Sequence, residues 1–234
     1  MSKPIVTVSF DFGGTLAHDV KKDYEVYHEI LDEMGYRFEP VEVESAYRKA
    51  VEWWRMVKRK ENLVWNEDSQ RMFISRMLAH LGLEEAEEFV ECILEVRRGK
   101  RLLKPYSDAE PTVRRLKEMG FKLIVISNVS SERNLSAYLT QVGLRGYFSL
   151  LFASGSLGVE KPNSEIFLYA SRVSGTPPDM MVHIGDDYEA DYLGAEKAGL
   201  KAILIDRANR YAGQRCTRVK SLLQVPELLE EFMK

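Results

Sequence analysis

Apolar and polar residues follow two different periods along the chain. Short β-branched and aromatic runs, typical of buried strands, cover Ile5 to Phe10, Phe121 to Ile126, Leu150 to Ala153, Met180 to Ile184 and Lys201 to Ile205. Helical periods cover Pro111 to Met119, Ser130 to Val142, Ser164 to Ser174 and Glu189 to Ala198. This alternation of strand and helix predicts a parallel sheet with right-handed crossovers.

A long helical stretch separates the first strand from the others. Between about residues 18 and 102, apolar residues recur at helical spacing in four stripes, and no strand pattern interrupts them. The sequence therefore predicts an α/β fold in which residues 1–16 and 103–234 form a Rossmann-like parallel-sheet core. Residues 17–102 are predicted to form an inserted all-helical domain.

Composition excludes several classes of partner. The chain has 234 residues and a net charge of −3, which argues against a general nucleic-acid binder. No apolar run approaches the length of a membrane span, and the N-terminus lacks a secretory signal pattern. The two cysteines follow no metal-binding spacing. We expect a cytoplasmic protein, monomeric or homodimeric, that binds neither nucleic acid nor membrane.

Polar residues follow the predicted strands at the points where these strands end. Asp11 comes after the first strand, Ser127 and Asn128 after the second and Asp186 after the third, and Lys161 follows a loop. Because the carboxyl ends of parallel strands meet at one edge of a sheet, these residues are expected to lie together. Carboxylates suit Mg²⁺, and a lysine suits a phosphoryl group. Each residue alone is more often a cap or a surface charge, so their joint position carries the prediction.

Four segments resemble, in order and spacing, the motifs of the haloacid dehalogenase superfamily. D-F-G-G-T-L, with Asp11 and Thr15, resembles the first motif, and I-V-I-S-N, with Ser127, the second. Lys161 resembles the third, and G-D-D-Y-E-A-D the fourth. The resemblance covers essentially the whole chain. It implies that the helical insertion is the cap domain of this family.

The resemblance implies roles for individual residues. Asp11 would be the nucleophile that forms a covalent aspartyl intermediate. The groups implied to hold the substrate are Thr15, Ser127, Lys161, Gly14 and Asn128. The implied metal site comprises Asp11, the backbone carbonyl of Gly13, Asp186 and Asp191, with Asp191 orienting the metal loop. The implied cofactor is Mg²⁺, and the implied activity is that of a phosphatase acting on a small phosphorylated metabolite.

One position departs from the family pattern. The phosphatases of the family usually carry a second aspartate two residues after the nucleophile, as general acid and base, and here that position is Gly13. Glycine keeps the backbone carbonyl for a metal but lacks the proton donor, which is typically worth about 10²–10⁴-fold in rate. His18 is a candidate replacement, although a solvent-facing linker histidine is the simpler interpretation.

Two alternatives stay open. Dehalogenases of the superfamily also lack the second aspartate, because halide leaves without a proton, so a 2-haloacid dehalogenase using Asp11 is the first alternative. Such enzymes carry a cap arginine, for which Arg37, Arg48 and Arg55 are candidates. The acidic fourth motif favours metal-dependent phosphate chemistry instead. A catalytically weak binding or regulatory protein is the second alternative, and the retention of the other motif residues argues against it.

Overall fold

The computed structural model describes residues 4–83 and 87–232 of the chain. The strands within them are β1 (Thr7–Phe10), β2 (Ala17–Asp19), β3 (Leu103–Pro105), β4 (Lys122–Ser127), β5 (Leu150–Ala153), β6 (Met181–Gly185), β7 (Lys201–Ile205) and β8 (Arg218–Val219). The α-helices are α1 (Asp23–Glu33), α2 (Pro40–Glu61), α3 (Glu67–His80), α4 (Glu87–Lys100), α5 (Ala109–Glu118), α6 (Glu132–Gln141), α7 (Ser154–Leu157), α8 (Ser164–Ser174), α9 (Gly194–Lys197) and α10 (Val225–Phe232).

The main sheet has the strand order β5-β4-β1-β6-β7-β8, and every neighbouring pair in it is parallel. Both of its faces are buried, as the apolar runs require. In β4, Leu123 and Val125 join one hydrophobic core, while Ile124 and Ile126 join the core on the opposite face. The predicted α/β fold with a parallel sheet is confirmed.

The register of the central strand explains why the polar residues meet. Phe10 of β1 lies opposite Val125 of β4 on one side and Ile184 of β6 on the other. Asp11 therefore follows β1 at the same level at which β4 and β6 end. The residues that follow β1, β4 and β6 therefore all lie at the carboxyl edge of the sheet.

The chain divides into two compact units, Met1–His18 with Leu103–Lys234 and Asp19–Leu102. The second unit contains α1 to α4 and has a core of its own, in which Trp65 packs edge-on against Trp54 and Phe73. Asp23, in the same unit, pairs with Arg97. Burial works against ionisation of Asp23, but Arg97 holds the pKa of this carboxyl below its usual range.

Some elements were not predicted from the sequence. β2 and β3 pair in a two-stranded sheet next to the two ends of the insertion, and β8 and α10 extend the core. The predicted helix from Glu189 to Ala198 was wrong in type over its first half, because a π-helix, Tyr188–Leu193, precedes α9. Among the described helices, none combines the length and the apolar character that crossing a bilayer requires.

Candidate active site

Asp11 lies at the carboxyl end of the central strand and is 7% exposed. Its Oδ1 accepts hydrogen bonds from Ser127 Oγ at 2.9 Å and from Lys161 Nζ at 2.7 Å. Burial raises the pKa of Asp11, and the nearby Asp191 raises it further, although Lys161 offsets part of this effect. The protein thus holds one carboxylate oxygen in place and makes the group more basic than a free aspartate.

Lys161 uses its three N–H donors inside the protein. Its Nζ donates to Asp11 Oδ1, to Asp191 Oδ1 at 2.6 Å and to the carbonyl of Ile126 at 2.9 Å. Burial opposes the charge, but the two carboxylates outweigh it and keep the pKa of Lys161 above its ordinary value. Lys161 is therefore a fixed positive charge, whose donors already have acceptors in this conformation.

The side chain of Asn128 positions Lys161. Its Nδ2 donates to the carbonyl of Lys161 at 3.0 Å, and its Oδ1 accepts from the N–H of Lys161 at 2.9 Å. Asn128 was expected to contribute to substrate binding, and the structure shows its amide engaged with this backbone. The second and third motifs are joined by these two bonds.

Asp191 connects Lys161 to the acidic loop. Its Oδ1 accepts from Lys161, and its Oδ2 accepts from the N–H of Asp187 at 3.0 Å. Burial works against ionisation, but Lys161 and His183 hold the pKa of Asp191 well below its usual range. Gly185 makes this position possible, because a Cβ there would lie 2.1 Å from Cγ of Asp191.

His183 and Ser9 extend this network into the sheet. His183 Nε2 lies 3.2 Å from Asp191 Oδ1, and Nδ1 lies 2.9 Å from Ser9 Oγ. Burial lowers the pKa of His183, so we assign the neutral ring. The tautomer that suits the Asp191 carboxylate has its proton on Nε2, which leaves Nδ1 as an acceptor for the Ser9 hydroxyl. The carbonyl of Val182, 3.1 Å from Ser9 Oγ, is a second acceptor for the same hydroxyl. His183 is thus a buried strand residue with a partner within reach of each ring nitrogen.

Asp186 lies against the first motif. A Cβ on Gly14, whose φ is +77°, would lie 2.5 Å from the Asp186 carboxylate, so glycine is required both by its backbone conformation and by this close approach. Burial raises the pKa of Asp186 to about 6, with contributions from Asp11 and Asp191, while Arg210 lowers it.

The carboxylates of Asp11, Asp186 and Asp191 form a cluster that fits a hard divalent cation. One oxygen of each lies within 4.8 Å of the others. Their mutual repulsion, seen in the raised pKa of Asp186, is what a bound cation would relieve. Oxygen ligands of this kind suit Mg²⁺. Because Asp191 already accepts from Lys161, His183 and Asp187, Asp11 and Asp186 are the better-placed direct ligands of the three.

Thr15 and Gly13 complete the first motif. Thr15 is fully buried, and within the described residues its hydroxyl has no hydrogen-bond partner. Gly13, in contrast, faces open space, because a Cβ built on it meets nothing within 4 Å. Its φ lies outside the left-handed region. The loop therefore has room for a side chain at the position where the family pattern has aspartate.

A set of contacts made by Arg207, which was not expected from the sequence, supports this loop. Arg207 donates to the Thr15 carbonyl at 3.0 Å and to both oxygens of Asp108 at 2.7 and 2.9 Å. Its guanidinium lies 3.9 Å from the centre of the Tyr106 ring. Asp108 also accepts from the backbone N–H of Leu222 at 3.0 Å. Arg207, from the C-terminal part of the chain, thereby holds the end of the first motif.

Most of the charged and hydroxyl residues predicted for the site lie together in the structure. Asp11, Ser127, Lys161 and Asp191 form one hydrogen-bonded network, and Asp186 adjoins it. His183 and Arg207 were missed as parts of the site. For His183 a signal was available, because Ser9 and His183 are polar residues within two largely apolar strands. For Arg207 the sequence contains no such signal.

A parallel α/β core with a buried aspartate and lysine at its carboxyl edge is an arrangement that suits a hydrolase, and the comparison with known families agrees. The model of the haloacid dehalogenase-like hydrolases matches residues 5–199. The chain therefore belongs to the haloacid dehalogenase-like hydrolases. The family that the four motifs predicted is confirmed.

Named relatives come from two phosphatase groups and one broader group. The glyceraldehyde 3-phosphate phosphatase of Methanopyrus kandleri is 38% identical over 105 residues, 45% of each chain. The phosphoserine phosphatase of Thermus thermophilus is 31% identical over 127 residues, 54% of this chain and 49% of the relative. Haloacid dehalogenase-like hydrolase domain-containing protein 3 of Danio rerio is 27% identical over 219 residues, 88% of this chain and 87% of the relative. The chain thus matches about half the length of the two phosphatases.

Solved structures share the fold over nearly the whole chain. A 2-haloacid dehalogenase from Pseudomonas syringae pv. Tomato superposes with a TM-score of 0.75 at 23% identity, covering 97% of this chain and 99% of that one. A phosphatase of the same superfamily from Thermococcus onnurineus gives 0.70 at 22% identity, covering 96% and 98%. Both reactions therefore occur on this fold, and the fold does not choose between them.

Proposed function

We propose that the protein is a Mg²⁺-dependent phosphatase that cleaves a small phosphorylated metabolite through an aspartyl-phosphate intermediate on Asp11. The observation that carries the proposal is the cluster of Asp11, Asp186 and Asp191, because one oxygen of each carboxylate lies within 4.8 Å of the others and a divalent cation would fit among them. Dehalogenation has no use for such a cluster. The names of the M. kandleri and T. thermophilus relatives support the same choice.

In the first step, a carboxylate oxygen of Asp11 forms a bond to phosphorus while the bond from phosphorus to the ester oxygen breaks. The leaving oxygen takes the electron pair and then a proton. Ser127 and Lys161 hold Oδ1 of Asp11, so the carboxylate is oriented before the substrate arrives. The fixed charge of Lys161 reduces the repulsion between this carboxylate and a phosphoryl dianion.

In the second step, water attacks the aspartyl phosphate, and the products are phosphate and the regenerated Asp11 carboxylate. Asp186 and Asp11, with the carbonyl of Gly13, are the proposed ligands of Mg²⁺. When bound, the cation supplies positive charge for the phosphoryl oxygens as the reaction proceeds. Asp191 orients the acidic loop through the N–H of Asp187.

The proposed substrate class is a phosphate monoester of a small metabolite. The relatives named for glyceraldehyde 3-phosphate and phosphoserine provide two starting compounds, each with a three-carbon skeleton. Both alignments cover about half of the relative's length, so we propose the class and not the individual compound.

A 2-haloacid dehalogenase is the second candidate, and Gly13 is the observation that favours it. Halide is a weak base and leaves without a proton, so no acid is needed at position 13. In this reaction Asp11 would attack carbon and form an ester, which water then hydrolyses. Residue 13 is glycine, and a Cβ built there meets nothing within 4 Å.

One experiment separates the two candidates. The wild type is assayed with a panel of phosphorylated metabolites and 2-haloacids, with Mg²⁺ and in chelator, and Asp11→Asn serves as the matched control. We expect phosphate release that requires Mg²⁺ and disappears in Asp11→Asn, with the fold intact by circular dichroism. Halide release that persists in chelator would assign the dehalogenase. Undiminished hydrolysis of an aryl phosphate by Asp11→Asn would exclude the covalent mechanism.

A further inference from the structure

Arg210 lies in the loop that follows β7, at the same edge of the sheet as the proposed active site. Its Nη2 lies 3.4 Å from Oδ2 of Asp186, and 57% of its side chain is exposed. One oxygen of Asp186 lies within 4.8 Å of an oxygen of Asp11. The exposed guanidinium of Arg210 thus contacts a carboxylate, that of Asp186, which itself lies close to the proposed nucleophile.

The backbone that carries Arg210 is firmly held. Asp206, which is 1% exposed, accepts from the N–H of Arg210 at 2.7 Å and from the N–H of Tyr211 at 2.9 Å. Asn209 has a φ of +56°, which turns the chain just before Arg210. Arg218 contacts the same Asp206 carboxylate at 3.3 Å. A buried carboxylate therefore fixes the loop, while the side chain of Arg210 projects from it.

Arg210 differs in this respect from Arg207, which lies in the same loop. Arg207 makes two bonds of 2.7 and 2.9 Å to Asp108, stacks on Tyr106 and is 24% exposed. Arg210 has one long contact to Asp186, lies farther from its aromatic neighbour, at 5.4 Å from the centre of the Tyr211 ring, and is more exposed. An exposed ion pair of this length contributes little to stability, so Arg210 can exchange its partner at small cost.

We propose that Arg210 binds a second negatively charged group of the substrate, a carboxylate, beside the phosphoryl group that Asp11 takes. The partner that it has in the structure is itself a carboxylate, and a guanidinium binds carboxylates through two parallel N–H donors. A cation held by the aspartate cluster would neutralise Asp186 and leave the guanidinium for the substrate. The inference rests on the proposed function and specifies its substrate class as phosphate esters that also carry a carboxylate.

The test uses two esters that differ only in the proposed group. 3-Phosphoglycerate and glycerol 3-phosphate share a three-carbon skeleton and a primary phosphate ester, and only the first carries a carboxylate. The variants are Arg210→Gln and, as the matched control, Arg215→Gln, which changes another exposed arginine of the same part of the chain. Steady-state kinetics is measured with Mg²⁺, and binding of both esters to Asp11→Asn, with and without Arg210→Gln, is measured by calorimetry.

We expect Arg210→Gln to raise KM for 3-phosphoglycerate and to weaken its binding by about 10-fold, as for loss of a charge-assisted hydrogen bond. The values for glycerol 3-phosphate should change less than about 3-fold, and Arg215→Gln should change neither. Equal losses for both esters would mean that Arg210 acts by supporting Asp186, and this result would overturn the inference. Unchanged KM and affinity for both esters would also overturn it.

The outcome also separates this inference from the proposed function. If the wild type cleaves neither ester nor any other phosphate in the panel, the proposed function fails and the calorimetry decides on Arg210. Weaker binding of 3-phosphoglycerate alone in the Arg210→Gln background then supports the assignment. Equal binding in the two backgrounds, or binding in neither, rejects it.

Discussion

Lys161 Nζ lies 2.7 Å from Oδ1 of Asp11, so the third motif donates a hydrogen bond to the carboxylate of the first. The same ammonium donates to Asp191 at 2.6 Å. All three groups are buried, and their charges are arranged so that the lysine lies between two acids. Removing the lysine leaves two carboxylates without their shared cation.

Lys161→Met should therefore destabilise the protein and abolish its activity. Loss of one partner of a buried charge network costs about 3–5 kcal/mol in the free energy of unfolding. Urea denaturation and phosphate release measure the two effects. The double variant Lys161→Met/Asp191→Asn also removes one of the two carboxylates that would be left without a partner. Its loss of stability should therefore be smaller than the sum of the losses in the two single variants. A Lys161→Met protein as stable as the wild type would contradict this assignment.

The sequence predicted Asp11, Ser127, Lys161 and Asp186 because each follows a strand or loop that ends at the carboxyl edge. Strand order and register then bring such residues together without further information. The network around Asp191 could not be read in this way. Its contact with His183 depends on a histidine that points out of one face of a buried strand, and burial of a side chain is set by packing.

The missed elements have a similar cause. β2, β3 and β8 are two or three residues long and carry no period that a sequence pattern can reveal. The π-helix Tyr188–Leu193 begins after Asp187, whose carboxylate caps it by accepting from the N–H groups of Glu189 and Ala190. Local hydrophobic spacing does not distinguish this helix from an α-helix.

His183 is expected to position Asp191. His183→Leu removes the Nε2 donor to Asp191, and loss of such a supporting group typically lowers activity or metal affinity by about 10–100-fold. His183→Gln keeps an N–H donor in reach and should recover part of this loss. Steady-state rates and Mg²⁺ activation curves provide the measurement.

Ser9→Ala is the matched control for His183, because it removes the partner on Nδ1 and leaves the Nε2 donor in place. It should reduce activity less than His183→Leu does. If His183→Leu and Ser9→Ala lose equal activity and equal stability, His183 acts only through the packing of β6.

Metal binding should weaken as the pH falls through the range set by Asp186. The folded protein raises the pKa of this carboxyl from 3.8 to about 6, so a proton competes with the cation below that pH. The affinity for Mg²⁺, measured by calorimetry, should fall about tenfold for each pH unit below about 6. Asp186→Asn should bind weakly at every pH. An affinity that is constant from pH 8 to pH 5 would mean that Asp186 is not a ligand.

The raised pKa of Asp186 also determines how the stability of the metal-free protein changes with pH. Between about pH 4 and 6 the folded state holds the Asp186 proton and the unfolded chain releases it, so this group lowers the free energy of unfolding as the pH rises through that window. Saturating Mg²⁺ should remove the effect, because it favours the ionised carboxyl.

Gly14→Ala and Gly13→Ala form a matched pair. The first places a methyl group 2.5 Å from the Asp186 carboxylate at a φ of +77°, whereas the second meets nothing within 4 Å. We expect Gly14→Ala to lose activity and about 1–3 kcal/mol of stability, through backbone strain and displacement of Asp186. Gly13→Ala should stay within about 0.5 kcal/mol of the wild type. Comparable activity and stability in the two variants would show that the approach of Gly14 to Asp186 is not needed.

Position 13 lacks the general acid that the phosphatases of the family usually carry there. In a phosphatase without this acid, the rate should depend steeply on the basicity of the leaving group. Acyl and nitrophenyl phosphates leave as weak bases and should be cleaved far faster than alkyl phosphates, whose alkoxide needs a proton. The measurement is the wild-type rate plotted against leaving-group pKa. A flat plot, with chemistry shown to be rate-limiting, would mean that another residue supplies the proton, and His18 is the first to test.

Gly13→Asp should restore the missing function. Because the position is open and its φ lies outside the left-handed region, an aspartate can be introduced there without a clash at Cβ. Alkyl phosphates should gain selectively, by up to about 10²–10⁴-fold if the carboxyl reaches the leaving oxygen, while nitrophenyl phosphate gains little. Gly13→Asn, which has nearly the same shape but no acidic proton, is the control. An equal gain in Gly13→Asn would assign the improvement to binding, because an amide cannot protonate the alkoxide.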